Sequence, residues 1–394
     1  MFSAAAFAAV LSASVFSCDA LAARARLVFT GDIMAHQTQL DAARIGTTGE
    51  YDFSYQFAHV KRFLKGDAVV GNYETTASGE DRRYTGYPQF NTPDVLADNV
   101  KDAGFTVLTL ANNHMHDRGS YGAARTVAVL SERGFGLAGL PINQPLVVDA
   151  EGVRVGIINA AYGSNGPLPK GEGSIGMNLI TRGFLMESAE QLRRLGADCI
   201  VACLHWGDEY DLKPGAAQKR EAAWAFEAGV DIVIGTHPHV LQPVEFTEDG
   251  RVVFWSLGNF VSGQRTLPRE RTAVAAVEVE SSGDGRCRVE AAWVLPAAVV
   301  KVPLSGRGAA TGFVVVPEGA ESEMAPAEGR RAAEVNAEVV RFLDLSEERD
   351  AFGFRAVKHR LIGEASPERK PAAEGRKASS GKRAKRGKAA GAAK

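Results

Sequence analysis

Short apolar segments that end directly in polar residues are the feature that most constrains the fold of this chain. Residues 105–110 are apolar with β-branched content, and Ala-Asn-Asn-His follows at residues 111–114. Such a segment is typical of a buried strand. In open α/β sheets the carboxyl ends of strands present the chemistry. Asn113 and His114 therefore indicate either a functional site or a polar loop that caps the next helix.

Predicted strands and helices alternate between residues 26 and 260, which favours an α/β architecture. The predicted strands are 26–30, 67–70, 105–110, two within 147–160, 199–204, 230–234 and 251–256. The predicted helices are 53–64, 91–103, 121–133, 184–195, 216–228 and 332–343. Residues 272–280 and 288–300 alternate apolar and polar side chains, so they predict an antiparallel pair with one solvated face.

Charge is unevenly distributed along the 394 residues. The formal net charge is -2, but residues 367–394 contain ten Lys/Arg and two Glu, so this segment carries +8 and the rest carries −10. The segment has no aromatic or β-branched residue, which predicts disorder. Its charge suits an anionic polymer or anionic lipid headgroups; the alternative is a solubilising tail without a partner. Nucleic acid is not expected, because aromatic residues for base stacking are missing.

The amino-terminal residues 1–22 are predicted to be a secretory signal peptide. Residues 4–17 are small and apolar, and Ala20-Leu21-Ala22 fits an A-x-A cleavage site. The run is too short to span a bilayer. No Lys or Arg lies near Met1, which leaves an upstream start open, and a lipid anchor on Cys18 ranks lower because Phe16 is bulky. We expect an exported protein, periplasmic or extracellular, with membrane association left open.

Four cysteines occur in the chain. Cys199 and Cys203 share one face of a predicted strand, so we expect buried free thiols rather than a bridge between them. No CxxC spacing is present, which argues against a cysteine zinc site.

Several predicted strand ends carry residues of the types that bind metals. Two carboxylates, an amide and several imidazoles suit Zn, Mn or Fe better than Ca or Mg, which prefer oxygen ligands. A bridging carboxylate would hold two such ions about 3.5–4 Å apart. An extended backbone at His237-Pro238-His239 would direct both imidazoles to one side. Each residue alone also fits a structural role, and their joint occurrence favours a site. The set is Asp32, Asn72, Glu74, Asn113, His114, His205, His237 and His239, with His36 as a further candidate.

Six motifs occur in order over residues 26–265. They are Gly31-Asp32-Ile33-Met34, Gly71-Asn72-Tyr73-Glu74, Ala111-Asn112-Asn113-His114 with Asp117 and Gly119, His205-Trp206-Gly207 with Glu209 and Tyr210, Gly235-Thr236-His237-Pro238-His239-Val240 with Gln242, and Ser256-Leu257-Gly258-Asn259-Phe260 with Gln264. This series resembles the CapA family of poly-γ-glutamate capsule biosynthesis proteins, which is related to the calcineurin-like metallophosphoesterases.

The resemblance implies a metallophosphoesterase-like four-layer α/β/β/α sandwich over residues 24–305, then an extension with a helix at 306–366. It implies one or two divalent ions, with ligand positions at Asp32, Glu74, Asn113, His205, His237 and His239. His114 would be the general acid, oriented by Asp117. The expected substrate contacts are Asn72, Asn112, Trp206, Glu209 and Asn259. Met34 replaces a histidine of the phosphoesterase pattern, and Glu74 stands where the simpler family has an aspartate motif.

Two functions of different classes follow from these observations. The first is an exported metal-dependent hydrolase that acts on a phosphoester or a γ-glutamyl linkage, working with capsule or envelope machinery on an anionic polymer. The second is a non-catalytic polymer-binding assembly factor that keeps the phosphoesterase fold. Metal content measured together with turnover distinguishes them.

Overall fold

The computed structural model describes residues 22–363, except 142, 172–173, 265, 283–284 and 305–309. The chain divides into two units, Met1–Ile362 and Gly363–Lys394. The predicted basic tail and, apart from Ala22, the predicted signal peptide lie outside the described residues. Among the helices that are described, none has both the length and the apolar character needed to cross a membrane.

Strands and helices alternate through the first two thirds of the chain, as the sequence predicts. The strands are β1 (Arg24–Ile33), β2 (Ala68–Tyr73), β3 (Val107–Thr109), β4 (Gly136–Ala138), β5 (Leu146–Ala150), β6 (Val153–Ala161), β7 (Cys199–His205), β8 (Ile232–Thr236), β9 (Val244–Phe246), β10 (Val252–Phe254), β11 (Asn259–Val261), β12 (Arg271–Ser281), β13 (Cys287–Pro303), β14 (Thr311–Pro317), β15 (Leu345–Arg349) and β16 (Arg355–Val357). The helices are α1 (Gln37–Ala43), α2 (Val95–Ala103), α3 (Gly119–Glu132), α4 (Arg182–Arg194), α5 (Ala216–Glu227) and α6 (Pro326–Leu343).

The described strands form a ten-stranded sheet and a six-stranded sheet. The larger sheet has the order β15-β16-β13-β12-β1-β2-β3-β4, with β11 paired to β1 and β14 paired to β13. The smaller sheet has the order β5-β6-β7-β8-β10-β9. In the larger sheet β1 to β4 run parallel, and in the smaller sheet β6, β7, β8 and β10 do. The carboxyl ends of these strands therefore share one edge in each sheet.

Side chains alternate between the two faces of each strand, so each sheet packs against the other sheet on one face and against helices on the other. Leu27 of β1 and Val201 of β7 belong to the cluster between the two sheets. Val28, on the other face of β1, packs with α2 and α3 outside the larger sheet. Ile200 packs with α4 and α5 outside the smaller sheet. The predicted α/β/β/α sandwich is confirmed.

The carboxyl-terminal strands extend the larger sheet beyond β1. The predicted antiparallel pairing is confirmed as β12 and β13, which pair from Arg271 with Ala298 to Ser281 with Cys287. The expected solvated face is wrong for residues 272–277, which are all buried. β14 continues the sheet, and α6 covers it through Val335. This helix lies on the face that also meets the smaller sheet, because its Val339 joins the cluster between the sheets.

Two predicted helices differ in the structure. Residues 53–64 form two short 3-10 helices, Ser54–Phe57 and Lys61–Phe63, rather than one α-helix. The apolar spacing of residues 53–64 indicates a buried face, since Phe53 and Leu64 both lie in the core. The helix predicted at 91–103 begins only at Val95, because the backbone of Asn91 pairs with that of Thr85.

Candidate metal centre

Strand register brings the first carboxylate to the middle of the site. Asp32 lies opposite Asn72 of β2 on one side and opposite Asn259 of β11 on the other. Close approach of β11 requires glycine at position 31, since a Cβ there would lie 1.8 Å from the carbonyl oxygen of Gly258. Asp32 therefore lies near the carboxyl end of β1, in a buried row of polar side chains.

Asn72 links the two buried carboxylates. Its Nδ2 donates to Asp32 Oδ1 at 2.8 Å and to Glu74 Oε2 at 3.2 Å. The amide of Asn112 fixes this orientation by donating to Asn72 Oδ1 at 3.2 Å and to the Tyr73 carbonyl at 3.0 Å. Asp32 and Glu74 are both 0% exposed, so this network holds two acidic groups side by side away from water.

Glu74 presents an oxygen that no protein group satisfies. Its Oε1 has no hydrogen-bond partner and lies 3.8 Å from His205 Nε2 and 3.9 Å from His239 Nε2. His237 Nδ1 is a second buried atom without a partner. Burying such atoms is unfavourable unless a partner is present. A cation between them would satisfy both.

Donor atoms cluster closely enough for metal binding, in two groups that share Glu74. One group is Glu74, His237 and His239, the other is Asp32, Glu74 and His205, and within each the donor atoms lie within 4.8 Å of one another. Carboxylates with imidazoles suit Zn, Mn or Fe. The residues present therefore fit a divalent ion, and Glu74 belongs to both groups of donors.

Asn113 and His205 face each other across the two sheets. His205 Nε2 lies 2.7 Å from Asn113 Oδ1, and His205 Nδ1 lies 2.9 Å from Thr236 Oγ1. The contact with Thr236 fixes the ring, which leaves Nε2 directed at the cluster. Both atoms of the His205–Asn113 contact are of the kind that coordinate metal ions.

Burial controls protonation in the centre. Burial, followed by repulsion from Asp32, raises the pKa of Glu74 well above its usual range. Burial, followed by repulsion from His237 and His239, lowers the pKa of His205 well below its usual range. The pKa of His237 falls to about 4, mainly by burial and then by His239. Neutral imidazoles are the metal-binding form, so His205 and His237 are in the form that binds an ion at neutral pH.

His114 lies beside the cluster and is held by a carboxylate. Its Nδ1 lies 2.8 Å from Asp117 Oδ2, and the same oxygen accepts a hydrogen bond from the backbone N–H of Phe90 at 2.8 Å. The Phe90 ring meets the imidazole edge to face at 4.7 Å. Asn165 Nδ2 approaches the two ring nitrogens at 3.3 and 3.4 Å. With Nδ1 bonded to Asp117, Nε2 is the nitrogen left for proton transfer.

The backbone at His237-Pro238-His239 is not extended, contrary to the prediction. His237 has φ 96 and His239 has φ 57, so both lie in the left-handed region. Hydrogen bonds from the Tyr210 N–H to the Pro238 carbonyl and from Asn259 Nδ2 to the His239 carbonyl hold this turn. The two imidazoles still converge, with ring centroids 5.8 Å apart.

The expected substrate contacts lie in different places. Trp206 is 0% exposed in the cluster outside the smaller sheet, and its Nε1 donates to the Trp255 carbonyl, so the structure contradicts a substrate role. Asn72, Asn112 and Asn259 are buried and bonded to other site residues or their neighbours. Glu209 is exposed at the rim, where it contributes to raising the pKa of Tyr210.

Two site residues were not predicted from the sequence. The ring of Tyr162 lies 4.6 Å from that of His237 and stacks on His205 at 6.4 Å. Tyr162 directly follows β6, so its position at the carboxyl end of a strand could have identified it from the sequence. Asn165 contacts His114 and also accepts a hydrogen bond from Asn113 Nδ2 at 3.1 Å, but its loop position gives no sequence signal.

Exposed tyrosines and one arginine surround the mouth of the centre. Tyr87 is 72% exposed and its ring lies 6.5 Å from that of His114. Tyr210 lies 6.2 Å from the ring of His239 and carries the guanidinium of Arg269 above its own ring at 4.9 Å. This mouth combines aromatic surface with the guanidinium of Arg269 and the exposed carboxylate of Glu209.

Known proteins resemble the chain in sequence and in structure. It is 33% identical over 246 residues to the capsule biosynthesis protein CapA of Bacillus anthracis, covering 59% of this chain and 60% of that protein. It is 31% identical over 241 residues to the PGA biosynthesis protein CapA of Bacillus subtilis (strain 168), covering 58% and 61%. The matches therefore span about three fifths of each relative's length.

Two solved structures resemble the fold at low sequence identity. One is described as "Putative 5'-Nucleotidase from Staphylococcus aureus", with TM-score 0.45, 15% identity, and coverage of 81% of this chain and 59% of that chain. The other is the NAD nucleotidase of Haemophilus influenzae, with TM-score 0.41, 13% identity, and coverage of 84% and 65%.

A family model covers the part of the chain that holds all six motifs. The model described as bacterial capsule synthesis protein PGA_cap matches residues 26–264, which is more than half of the chain. This range runs from β1 to the segment after β11, and so includes every predicted ligand. The chain therefore belongs to the CapA family of bacterial capsule synthesis proteins.

Proposed function

We propose that this chain is a metal-dependent hydrolase that acts outside the cytoplasm on a linkage of an anionic capsular polymer. The observation that carries the proposal is the buried Glu74 Oε1, which has no partner and lies 3.8 and 3.9 Å from two imidazole nitrogens. A purely structural carboxylate would be expected to be fully hydrogen-bonded. A binding site for cations explains why it is not.

The proposed ligands are those that the two clusters and their neighbours supply. One or two divalent ions would be held by Asp32, Glu74, Asn113, His205, His237 and His239. An ion bound there would act as a Lewis acid on the scissile ester or amide group. Asn72 then has a positioning role, since its amide sets the distance between the two carboxylates.

His114 is proposed as the proton donor. Asp117 holds Nδ1 at 2.8 Å, so the ring keeps one orientation and Nε2 can deliver a proton to the leaving group. Packing against Phe90 restricts the ring further.

An anionic substrate is supported by the mouth of the site and by the relatives. Arg269 offers a positive charge above the ring of Tyr210, which in turn lies 6.2 Å from the ring of His239. One relative is described as a PGA biosynthesis protein and another as a capsule biosynthesis protein. We propose a poly-γ-glutamate-like polymer as the substrate, with a phosphoester as the alternative linkage. Export is supported by the predicted signal peptide.

The test compares three histidine variants in metal content and turnover. His237→Ala should lose the ion, whereas His114→Ala should retain it and lose activity, because a proton donor need not hold the ion. His359→Ala is the matched control, since that histidine is exposed and packs on Phe246. Metal content is measured by elemental analysis, and turnover on poly-γ-glutamate and on bis(p-nitrophenyl) phosphate. Loss of metal in His114→Ala would move that residue into the ligand set.

The second candidate is a non-catalytic assembly factor that binds the polymer. Met34 favours it, because this buried thioether replaces an imidazole of the phosphoesterase pattern and leaves Asp32 with one nitrogen donor fewer nearby. A metal-loaded protein that binds poly-γ-glutamate but turns over neither substrate would establish this function in place of the hydrolase.

A further inference from the structure

Two thiols meet at the end of the sandwich that lies away from the candidate metal centre. Cys199 is the first residue of β7 in the smaller sheet, and Cys287 is the first residue of β13 in the larger sheet. Their sulfur atoms and one carboxylate oxygen of Asp231 all lie within 4.8 Å of one another. Cys199 is buried between the sheets, whereas Cys287 is partly exposed.

An arginine holds the two segments together. Arg193 Nη2 donates to Asp231 Oδ2 at 2.9 Å, and its Nη1 reaches the carbonyl of Gly285, two residues before Cys287, at 3.3 Å. The same guanidinium donates to the carbonyl of Asp198, directly before Cys199, at 2.6 Å. One side chain therefore fixes the backbone on both sides of the pair of thiols.

The surroundings favour a covalent link over a bound metal. Asp231 Oδ2 already accepts hydrogen bonds from Arg193 and from the backbone N–H of Ile200 at 2.8 Å. The positive guanidinium opposes a cation at this place. A hydrogen bond with Cys287, and then burial, raise the pKa of the Cys199 thiol. Cys199 therefore stays protonated and is not the first thiol to attack an external disulfide.

We propose that Cys199 and Cys287 form a disulfide that joins the two sheets when the protein meets an oxidising environment. The partly exposed Cys287 first attacks a small or protein disulfide, such as oxidised glutathione, and releases one thiol of that donor. The Cys199 sulfur then attacks the Cys287 sulfur of the mixed disulfide and releases the second thiol. Two S–H bonds are lost and one S–S bond forms, while the donor takes up the two electrons and two protons.

The disulfide would lie far from the candidate metal centre. Cys199 and His205 are at opposite ends of β7, about 20 Å apart at the rise of a strand. The disulfide would close the segment 199–287 and so restrict the unfolded chain. Formation in the cell rests on the proposed export, since disulfides persist in oxidising compartments. The test uses purified protein, so failure of the export proposal would not affect it.

The experiment exposes the full chain to oxidised glutathione, blocks remaining thiols in acid and maps peptides without reduction. We expect the peptide with Cys287 to be linked to the peptide with Cys199. Cys203→Ala should keep the link, whereas Cys199→Ala and Cys287→Ala should lose it. Cys203 is the matched control, because it lies on the same strand, is buried, and has a pKa raised to about 12 by burial.

Thermal unfolding provides a second readout. The oxidised protein and its Cys203→Ala variant should unfold about 5 °C above their reduced forms. Cys287→Ala, which changes a partly exposed residue, should show no such difference. Alkylation of both Cys199 and Cys287 after oxidation would overturn the proposal, as would a link through Cys203. Stoichiometric zinc that is lost in Cys287→Ala would overturn it in favour of a metal site.

Discussion

Replacement of His237 by glutamine should make the metal-free protein less sensitive to acid. The pKa of His237 is lowered from 6.5 to about 4 by burial and by His239. Between these two values the unfolded chain binds a proton that the folded protein does not, so stability falls as pH falls. The difference of 2.5 pH units, at 1.36 kcal/mol each, gives a loss of about 3 kcal/mol on acidification. Glutamine cannot titrate, so the variant should not suffer this loss.

Urea unfolding at a series of pH values between 7 and 4, after dialysis against a chelator, measures the effect. His36 also has a pKa lowered to about 4, mainly by burial, but it is present in both proteins and cancels in the comparison. His359→Gln is the control, because its side chain is exposed and lies outside the site. The wild type and this control should lose stability in parallel.

The reasoning would be refuted if the curves of unfolding free energy against pH for wild type and His237→Gln were parallel over this range. Such a result would mean that His237 is solvated or charged in the metal-free folded protein. A vertical offset between the parallel curves would show in addition that glutamine alters packing.

Four further substitutions test separate parts of the site. Glu74→Gln should lower affinity for Mn²⁺ at least about 100-fold in calorimetric titration, because the oxygen shared by both clusters becomes a neutral amide. Asp117→Asn should keep the metal content but lower kcat about 10- to 100-fold, since the ring of His114 loses its orienting carboxylate. Arg269→Gln should raise KM for the polymer about tenfold with kcat nearly unchanged, and a selective fall in kcat would contradict a binding role. Trp206→Phe should lower the free energy of unfolding by about 2 kcal/mol without changing KM, since the indole is a core group.

The placement of the ligands could be predicted because it depends on a general property of parallel sheets. Strands that run the same way end at the same edge, so Asp32 and Asn113 had to approach one another once the strands were recognised, whereas His205 meets them only because the two sheets stack. Trp206 was misplaced because alternation was not applied to it: His205 faces the site, and the next residue faces the opposite side. Tyr162 could have been selected by its position directly after β6, although alternation along that strand does not point it to the site.

Other features depend on contacts that no local pattern contains. The left-handed backbone at His237 and His239 is stabilised by Tyr210 and Asn259, which are distant in sequence or lie on another strand. The meeting of Cys199 with Cys287 depends on how two sheets are stacked, and spacing along the chain gives no sign of it. Residues 53–64 have helical spacing because they bury one face, which two short 3-10 helices also achieve.

The division of the proposed ligands between two sheets would determine when, during folding, the chain could bind a metal ion. Asp32 and His239 are 207 positions apart, and their side chains meet only after both sheets have formed and stacked. Contacts so distant in sequence form late and slowly during folding. A chain in which only one sheet has formed holds only part of the donor set and has little affinity for any ion. The metal would therefore be chosen from the ions of the compartment in which folding finishes, and not from those where synthesis begins.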